Sequence, residues 1–247
     1  MIHYHGTPMT PDASMVEAFQ GRHAMVSFYH PRQIDIATEI CHSVALDNGA
    51  FSAWMAKKDA DFDGYAAWAQ QRLKHPAVDW CLIPDVIDGE EDDNDRLLAE
   101  WPLDGAVSVP VWHLHESLDR LERLICAYPR IAFGSSGKWR EVNTPAWWHR
   151  MAEGMEVACD GEGMPRCKLH GLRMLDPTVF SHLPFASADS CNVARNVGID
   201  QAWNGPYAPR SRAMRALIMM ERIEAHASSR RWNSKTAGIQ SNLEMIG

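Results

Sequence analysis

No stretch of this 247-residue chain approaches the roughly 18 to 20 consecutive apolar residues that a membrane-spanning helix requires. The opening residues Met1-Ile2-His3-Tyr4-His5 contain no apolar signal segment. The six cysteines (Cys41, Cys81, Cys126, Cys159, Cys167 and Cys191) fall at irregular spacings without one CxxC pair, so no disulfide framework is legible. Together these absences lead us to expect a reduced, soluble, cytoplasmic protein with no membrane partner. Positive charge is also short: 24 Lys and Arg stand against 32 Asp and Glu, a net charge of -8. A chain coated with basic residues is excluded, although a local basic groove is not. There is no internal repeat, low-complexity tract or linker, which points to one domain spanning residues 1–247.

What the chain does have is apolar content, at 46%, enough for a large core without disulfides. Short apolar runs alternate with longer amphipathic stretches. The runs Ile2–His5, Met25–Tyr29, Val44–Leu46, Asp79–Ile83, Ala106–Trp112, Arg130–Phe133, Cys167–His170 and Pro184–Ala188 read as strands. Several are apolar at successive positions, as strands buried on both faces must be. Between them, Phe62–Lys74, Asp92–Trp101, Ser117–Ala127 and Pro145–Val157 carry apolar residues at helical spacing, and Ser211–Ala227 reads as a final helix. Asp61 and Thr144 suit helix N-caps, and Pro145 suits a first helical position. Eight strands alternating with helices predict an α/β protein, a single (β/α)8 TIM-like barrel with a C-terminal helix and tail over about residues 205–247. A doubly wound open sheet is the alternative.

Polar groups follow the apolar runs: His5, His30, Asp47-Asn48-Gly49, Pro84-Asp85, His113 and His115, Gly134-Ser135-Ser136-Gly137, His170-Gly171 and Asp189-Ser190. In a barrel these positions lie at the strand C-termini, where this fold builds its active sites. Asp47 and Asp189 are the candidate catalytic pair. Asn48-Gly49-Ala50-Phe51 after Asp47 allows close backbone approach to a ligand beside an aromatic ring. Phe185-Ala186-Ser187-Ala188 before Asp189 consists mostly of small residues and leaves space around the carboxylate. Two carboxylates can divide the work of cleaving a glycosidic bond, one as nucleophile and one as proton donor and acceptor.

The same residues resemble the motifs of the tRNA-guanine transglycosylase superfamily, which includes the queuine and archaeosine enzymes and their smaller DNA-acting relatives. Asp47-Asn48-Gly49-Ala50-Phe51-Ser52 is similar to the family's Asp-Ser-Gly-Gly-Phe/Tyr-Gln, and Ile83-Pro84-Asp85 to its Ala-Phe-Asp. Phe133-Gly134-Ser135-Ser136-Gly137 resembles its glycine-rich turn, and Leu169-His170-Gly171 its Leu-Met-Gly. Asp189-Ser190-Cys191-Asn192-Val193-Ala194-Arg195-Asn196 keeps the spacing of its Asp-x5-Arg-Asn. The motifs occur in the family's order and span roughly residues 45–196. The resemblance implies that Asp189 attacks C1′ of a nucleoside and that Asp47 serves as general acid and base. It further implies that Phe51 and His170 sandwich the base, that Asp85 bonds its edge, and that the backbone near Gly134 and Ser135 touches it. Arg195 and Asn196 would support the nucleophile loop or hold a phosphate.

The departures carry information too. Where the family has its base-reading Val-Gln-Gly-Gly, this chain reads Val111-Trp112-His113-Leu114-His115, and Ser52 replaces the Gln after the aromatic residue. Imidazoles and an indole do not read the donor and acceptor pattern that amides read, so an ordinary 7-deazaguanine precursor is not the expected base. The family's Cys-x-Cys-x2-Cys…His zinc site is missing, and Cys159, Cys167 and His170 do not restore its spacing. No structural metal and no cofactor are expected.

From Gln201 onward, seven basic residues (Arg210, Arg212, Arg215, Arg222, Arg230, Arg231 and Lys235) stand against three acids, Glu221, Glu224 and Glu244, with Trp203 and Trp232 interleaved. Arg210, Arg212 and Arg215 are the candidate contacts to a nucleic-acid backbone. A base within a duplex must be flipped out to reach such a site, and a modified base flips at least expense. The expected activity is therefore a DNA glycosylase acting on a modified base, in a setting such as defence against phage. Three alternatives stay open. One is a base-exchanging transglycosylase on DNA or tRNA. Another is a metal-dependent barrel hydrolase built on His3, His5, His113, His115 and His170. The third is a non-enzymatic nucleic-acid binder, which the acidic strand ends disfavour. A phosphate-binding loop at Gly134–Lys138 lacks the spacing of a P-loop.

Overall fold

The computed structural model describes residues 1–199, 203 and 208–233. In chain order the elements are β1 (Ile2–Gly6), α1 (Asp12–Phe19), β2 (His23–Ser27), α2 (Ile34–Ile40), β3 (Ser43–Asp47), α3 (Ala50–Met55), α4 (Phe62–Arg72) and β4 (Val78–Leu82). Then come α5 (Glu91–Glu100), β5 (Ser108–Val109), β6 (Val111–His113), α6 (Leu118–Ala127), β7 (Arg130–Gly134) and α7 (Pro145–Ala158). The last are β8 (Lys168–Gly171), α8 (Pro177–Phe180), β9 (Ser187–Ser190), α9 (Asn192–Asn196) and α10 (Arg212–Glu224). The nine strands belong to one sheet, the registered strand pairs run parallel, and helices alternate with the strands. This is a TIM-like (β/α)8 barrel with a C-terminal helix, not an open doubly wound sheet. The tail beyond Asn233, Lys235 included, lies outside the described residues.

By packing, the chain divides into a unit whose segments flank in sequence, Ile2–Leu82 with Asp189–His226, and a unit central in sequence, Ile83–Ala188 with Met1 and the described chain from Ala227. In the flanking unit β1, β2, β3 and β4 pair in sequence, with Ser27 opposite Asp47 at the C-terminal end. Ala24–Val26 and Val44–Leu46 are buried at every position, because helices cover one face and the barrel interior the other. Tyr4 reaches across this unit, its hydroxyl donating to Asp79 Oδ2 at 3.2 Å and accepting from Trp80 Nε1 at 3.2 Å.

The central unit is built on β6, β7, β8 and the first residues of β9. The apolar run Ala106–Trp112 becomes two short strands because Pro110, between them, has no amide hydrogen to donate, though its carbonyl accepts from Ala132 N at 2.9 Å. Helix α6 begins where Ser117 Oγ accepts from Arg120 N at 3.1 Å, and it buries Leu121, Leu124 and Ile125 at i, i+3 and i+4 spacing. Helix α7 begins with Thr144 capping Trp147 N and Pro145 in its first turn. It buries Trp147, Trp148, Met151 and Met155, each contributing about 1.5–3 kcal/mol. Gly154 is required on that face, since a Cβ there would lie 3.0 Å from the Trp112 ring.

Candidate active site

In the flanking unit the strand C-termini carry the two candidate carboxylates. Asp47 ends β3, where its carbonyl accepts from Phe28 N at 2.9 Å. The chain then turns through Asn48, whose Oδ1 accepts from Ala50 N at 2.9 Å, and Gly49, which has φ +80°. Only glycine suits that turn: the left-handed backbone is costly for other residues, and a Cβ would lie 2.9 Å from Tyr29 N. The turn opens α3, on which half-buried Phe51 packs against Trp54 with ring centroids 5.7 Å apart. Asp189 lies within β9 rather than after it, and is 7% exposed. The next turn packs tightly on β1: a Cβ on Gly6 would sit 2.5 Å from Cys191 Sγ. Arg195 is exposed on α9, and Asn196 bonds Asn192 on the same short helix.

In the central unit the corresponding strand ends form a tightly bonded cluster. His113 ends β6, 2% exposed, with Nε2 2.8 Å from Asp85 Oδ2. Its Nδ1 is buried with no hydrogen-bond partner among the described residues, and a Cβ on Gly134 would lie 2.8 Å from that atom. His115 stacks on His113 with centroids 5.6 Å apart, its ring nitrogens 2.6 Å from Ser136 Oγ and 2.9 Å from the Gly89 carbonyl. Ser135 Oγ accepts from Trp147 Nε1 at 2.9 Å.

Beneath this cluster lies a group that sequence reasoning missed. Glu116, fully buried, accepts from His113 N at 2.8 Å, from Asn94 Nδ2 at 2.8 Å and from Arg120 Nη1 at 2.7 Å. Arg120 also donates to Asp95 at 2.7 Å and to the Val111 carbonyl at 2.8 Å. Asn94 Oδ1 accepts from Val86 N at 2.7 Å, tying down the segment just after Asp85. The Glu116–Arg120 pair has the i, i+4 spacing of a helix salt bridge and was legible in the sequence. Asn94 and Asp95, more than 20 residues away, were not.

Several sequence expectations need correction here. His170 has no exposed surface, and its Nδ1 lies 2.8 Å from Ser187 Oγ, so it fastens β8 to β9 instead of offering a ring face for stacking. His5 does not end at a ligand site: it is fully buried and its Nε2 meets Glu224 of α10 at 2.9 Å. His3 Nε2 is 3.0 Å from the His226 carbonyl, and burial lowers its pKa. With His113 and His115 also engaged, the histidines of the metal-hydrolase alternative hold protein partners. Among the described residues no group of three or more His, Cys, Asp or Glu is placed to hold a metal ion. Burial pushes the Cys159 thiol up to about 12 and the Cys167 thiol to about 11, which disfavours the thiolates that zinc takes.

Of the candidate backbone contacts, Arg210 and Arg212 are exposed. Arg215 is half-buried, donating to the Pro209 carbonyl at 2.5 Å with its guanidinium 5.8 Å from the Trp203 ring. Trp232 cannot stack on a base: it is 7% exposed, with Nε1 bonded to Glu156 at 2.7 Å. A groove of about 470 Å³ lined by Pro129, Lys168, Phe185 and Arg230 lies at the strand N-termini, the end of this fold that does not carry chemistry.

No protein-family model matches the chain, and no curated protein matches it. Among solved structures it is similar to a mutant tryptophan synthase alpha-subunit from the hyperthermophile Pyrococcus furiosus. The TM-score is 0.52 and the identity 11%, over 91% of this chain and 97% of that one. At that identity the similarity shows the barrel fold alone. Among the described residues no helix is long and apolar enough to cross a membrane.

Proposed function

We propose that this chain is a DNA N-glycosylase that removes a modified base, with Asp189 as nucleophile and Asp47 as general acid and base. The observation that carries the reading is the placement of both carboxylates at the C-terminal ends of parallel strands in one compact unit of a TIM-like barrel. The burial of Asp189 supports it, because a carboxylate shielded from water acts more strongly on a developing positive charge. The motif order shared with the transglycosylase superfamily supports it as well.

The chemistry balances with these groups alone. The Asp189 carboxylate attacks C1′ while the glycosidic C–N bond breaks, and the departing base takes a proton from Asp47. Water then attacks C1′ and gives its proton to Asp47, and the Asp189 carboxylate leaves. The products are free base and an abasic deoxyribose.

The motif resemblance assigns the reading of the base to Asp85 and the backbone near Gly134, beside His113. Asp85 and His113 share a hydrogen bond that fixes the ring, and the Gly134 backbone packs so closely on the buried Nδ1 that a Cβ would collide with it. Ser135 and Ser136 are tied to Trp147 and His115, so this turn is rigid. Phe51, half-buried on α3, remains the aromatic platform, and His170 acts through Ser187. Arg195, exposed on α9, is the residue we assign to a phosphate.

The test is base release by Asp189→Ala and Asp47→Ala. Each variant should lose base release by at least about a hundredfold while melting like the parent. A folded Asp189→Ala that releases base at the parental rate overturns the mechanism.

A further inference from the structure

The loop between β7 and α7 places basic and aromatic side chains immediately beyond the His113–His115 turn. It leaves β7 at Gly134, passes Ser135 and Ser136, and makes a 3-10 turn over Gly137–Trp139 before reaching the Thr144 cap. Its base is fastened to the base-reading cluster by the 2.6 Å contact of Ser136 Oγ with His115 Nδ1. Lys138 and Arg140 are exposed, and among the described residues neither pairs with a carboxylate. Arg150, behind this loop, by contrast pairs with Glu153 at 2.6 Å.

Between the two cations sits Trp139, half-buried, with Lys138 Nζ 4.3 Å from its ring. Behind it the Arg150 guanidinium lies 5.3 Å from the Trp139 ring and 5.3 Å from the buried Trp112 ring. Arg150 is itself fixed by the Leu114 carbonyl at 2.8 Å and the Glu116 carbonyl at 2.6 Å. The loop is held at its far side too: Asn143, at φ +72°, accepts from Trp148 Nε1 at 2.8 Å and donates to Thr178 at 3.4 Å. The neighbouring strand β8 runs on into Leu172, whose N donates to the Phe133 carbonyl at 3.0 Å. The nearby acids are exposed Glu141 and Asp176, and Asp176 is occupied in capping α8.

We propose that Lys138, Trp139 and Arg140 form a seat for the phosphate backbone of the nucleic-acid strand that presents its base to the central unit. The inference rests on the nucleic-acid reading above and adds residues to it. Unpaired cations flanking an indole match a backbone whose phosphates alternate with stacking bases. The loop backbone beneath the two cations is held at both ends, at Ser136 and at Asn143.

The experiment is a fluorescence-anisotropy titration of labelled single-stranded DNA, at a series of salt concentrations, with parent protein and K138A/R140A. Losing two phosphate contacts should weaken affinity about tenfold or more at low salt and reduce the slope of log K against log salt by about 1.4. Both side chains are exposed and unpaired, so the melting temperature should match the parent. If the parent binds and the variant binds with equal affinity and slope, the seat is refuted while the glycosylase reading stands. If the parent binds no DNA, both fail. If the substitutions weaken binding of poly-glutamate but not of DNA, the surface belongs to an acidic protein partner and the proposal is overturned.

Discussion

Glu116→Ala should destabilise the protein more than any single change at the candidate catalytic carboxylates. The side chain is fully buried and is held by three donors at 2.7–2.8 Å: His113 N, Asn94 Nδ2 and Arg120 Nη1. Removing it leaves Arg120, itself 2% exposed, with Asp95 as its remaining acid, and strands two uncharged donors. Breaking a buried ion pair from one side costs about 3–5 kcal/mol. For a chain of this size each kcal/mol lowers the melting temperature by about 2–4 °C, so the expected drop is roughly 6–20 °C. Glu116→Gln, which keeps an oxygen acceptor and the shape, should fall between the parent and the alanine variant. Calorimetric melting of the three proteins measures this directly. A Glu116→Ala variant within about 1 kcal/mol of the parent, a shift near the noise of surface substitutions, would refute the reasoning. Replacing Glu116 and Arg120 together by leucines should recover part of the loss, because no orphan charge then remains.

Gly134→Ala introduces a Cβ 2.8 Å from His113 Nδ1 and 3.1 Å from Val111 Cγ1, so it should impair base release more than it lowers the melting temperature; parental kinetics would separate Gly134 from base recognition. For Glu224, burial alone raises the carboxyl pKa, but the hydrogen bond from His5 and the charge of Arg22 outweigh it and hold the group below its ordinary value. A depressed folded-state pKa contributes stability above the unfolded value, lost as pH falls through the folded one. The melting temperature of Glu224→Gln should therefore depend less on pH than the parent's in the acid range below the usual carboxylate pKa of about 4.3, and parallel curves would contradict this. Reversing Arg210 and Arg212 to Glu should weaken DNA affinity and flatten its salt dependence; unchanged binding isotherms would remove α10 and its preceding turn from the DNA interface.

The barrel was legible because buried parallel strands leave continuous apolar runs: Val44–Leu46 and Arg130–Phe133 fall within β3 and β7 to within a residue at either end. The caps at Asp61, Ser117 and Thr144 follow from local chemistry, and Asp61 and Thr144 were named in advance. Helices α1 and α2 escaped because each is only two turns long and their buried positions make too short a stripe to stand out. Interactions between distant residues were invisible for a different reason. His5 and Glu224 are 219 residues apart, and no local pattern announces that a strand-end histidine is spent on a C-terminal helix. Trp232, interleaved with the basic residues of the C-terminal segment, fills a niche between Glu156 and Gly163 that only tertiary structure reveals.

The central claim is tested most directly by incubating the metal-free protein with genomic DNAs carrying different base modifications, then detecting free base by mass spectrometry and abasic sites by alkali-labile strand breaks. The account predicts released base with matching breaks from one class of modified DNA and none from unmodified DNA. Intact DNA from every substrate, with no base released even when candidate exchange bases are added, would contradict it.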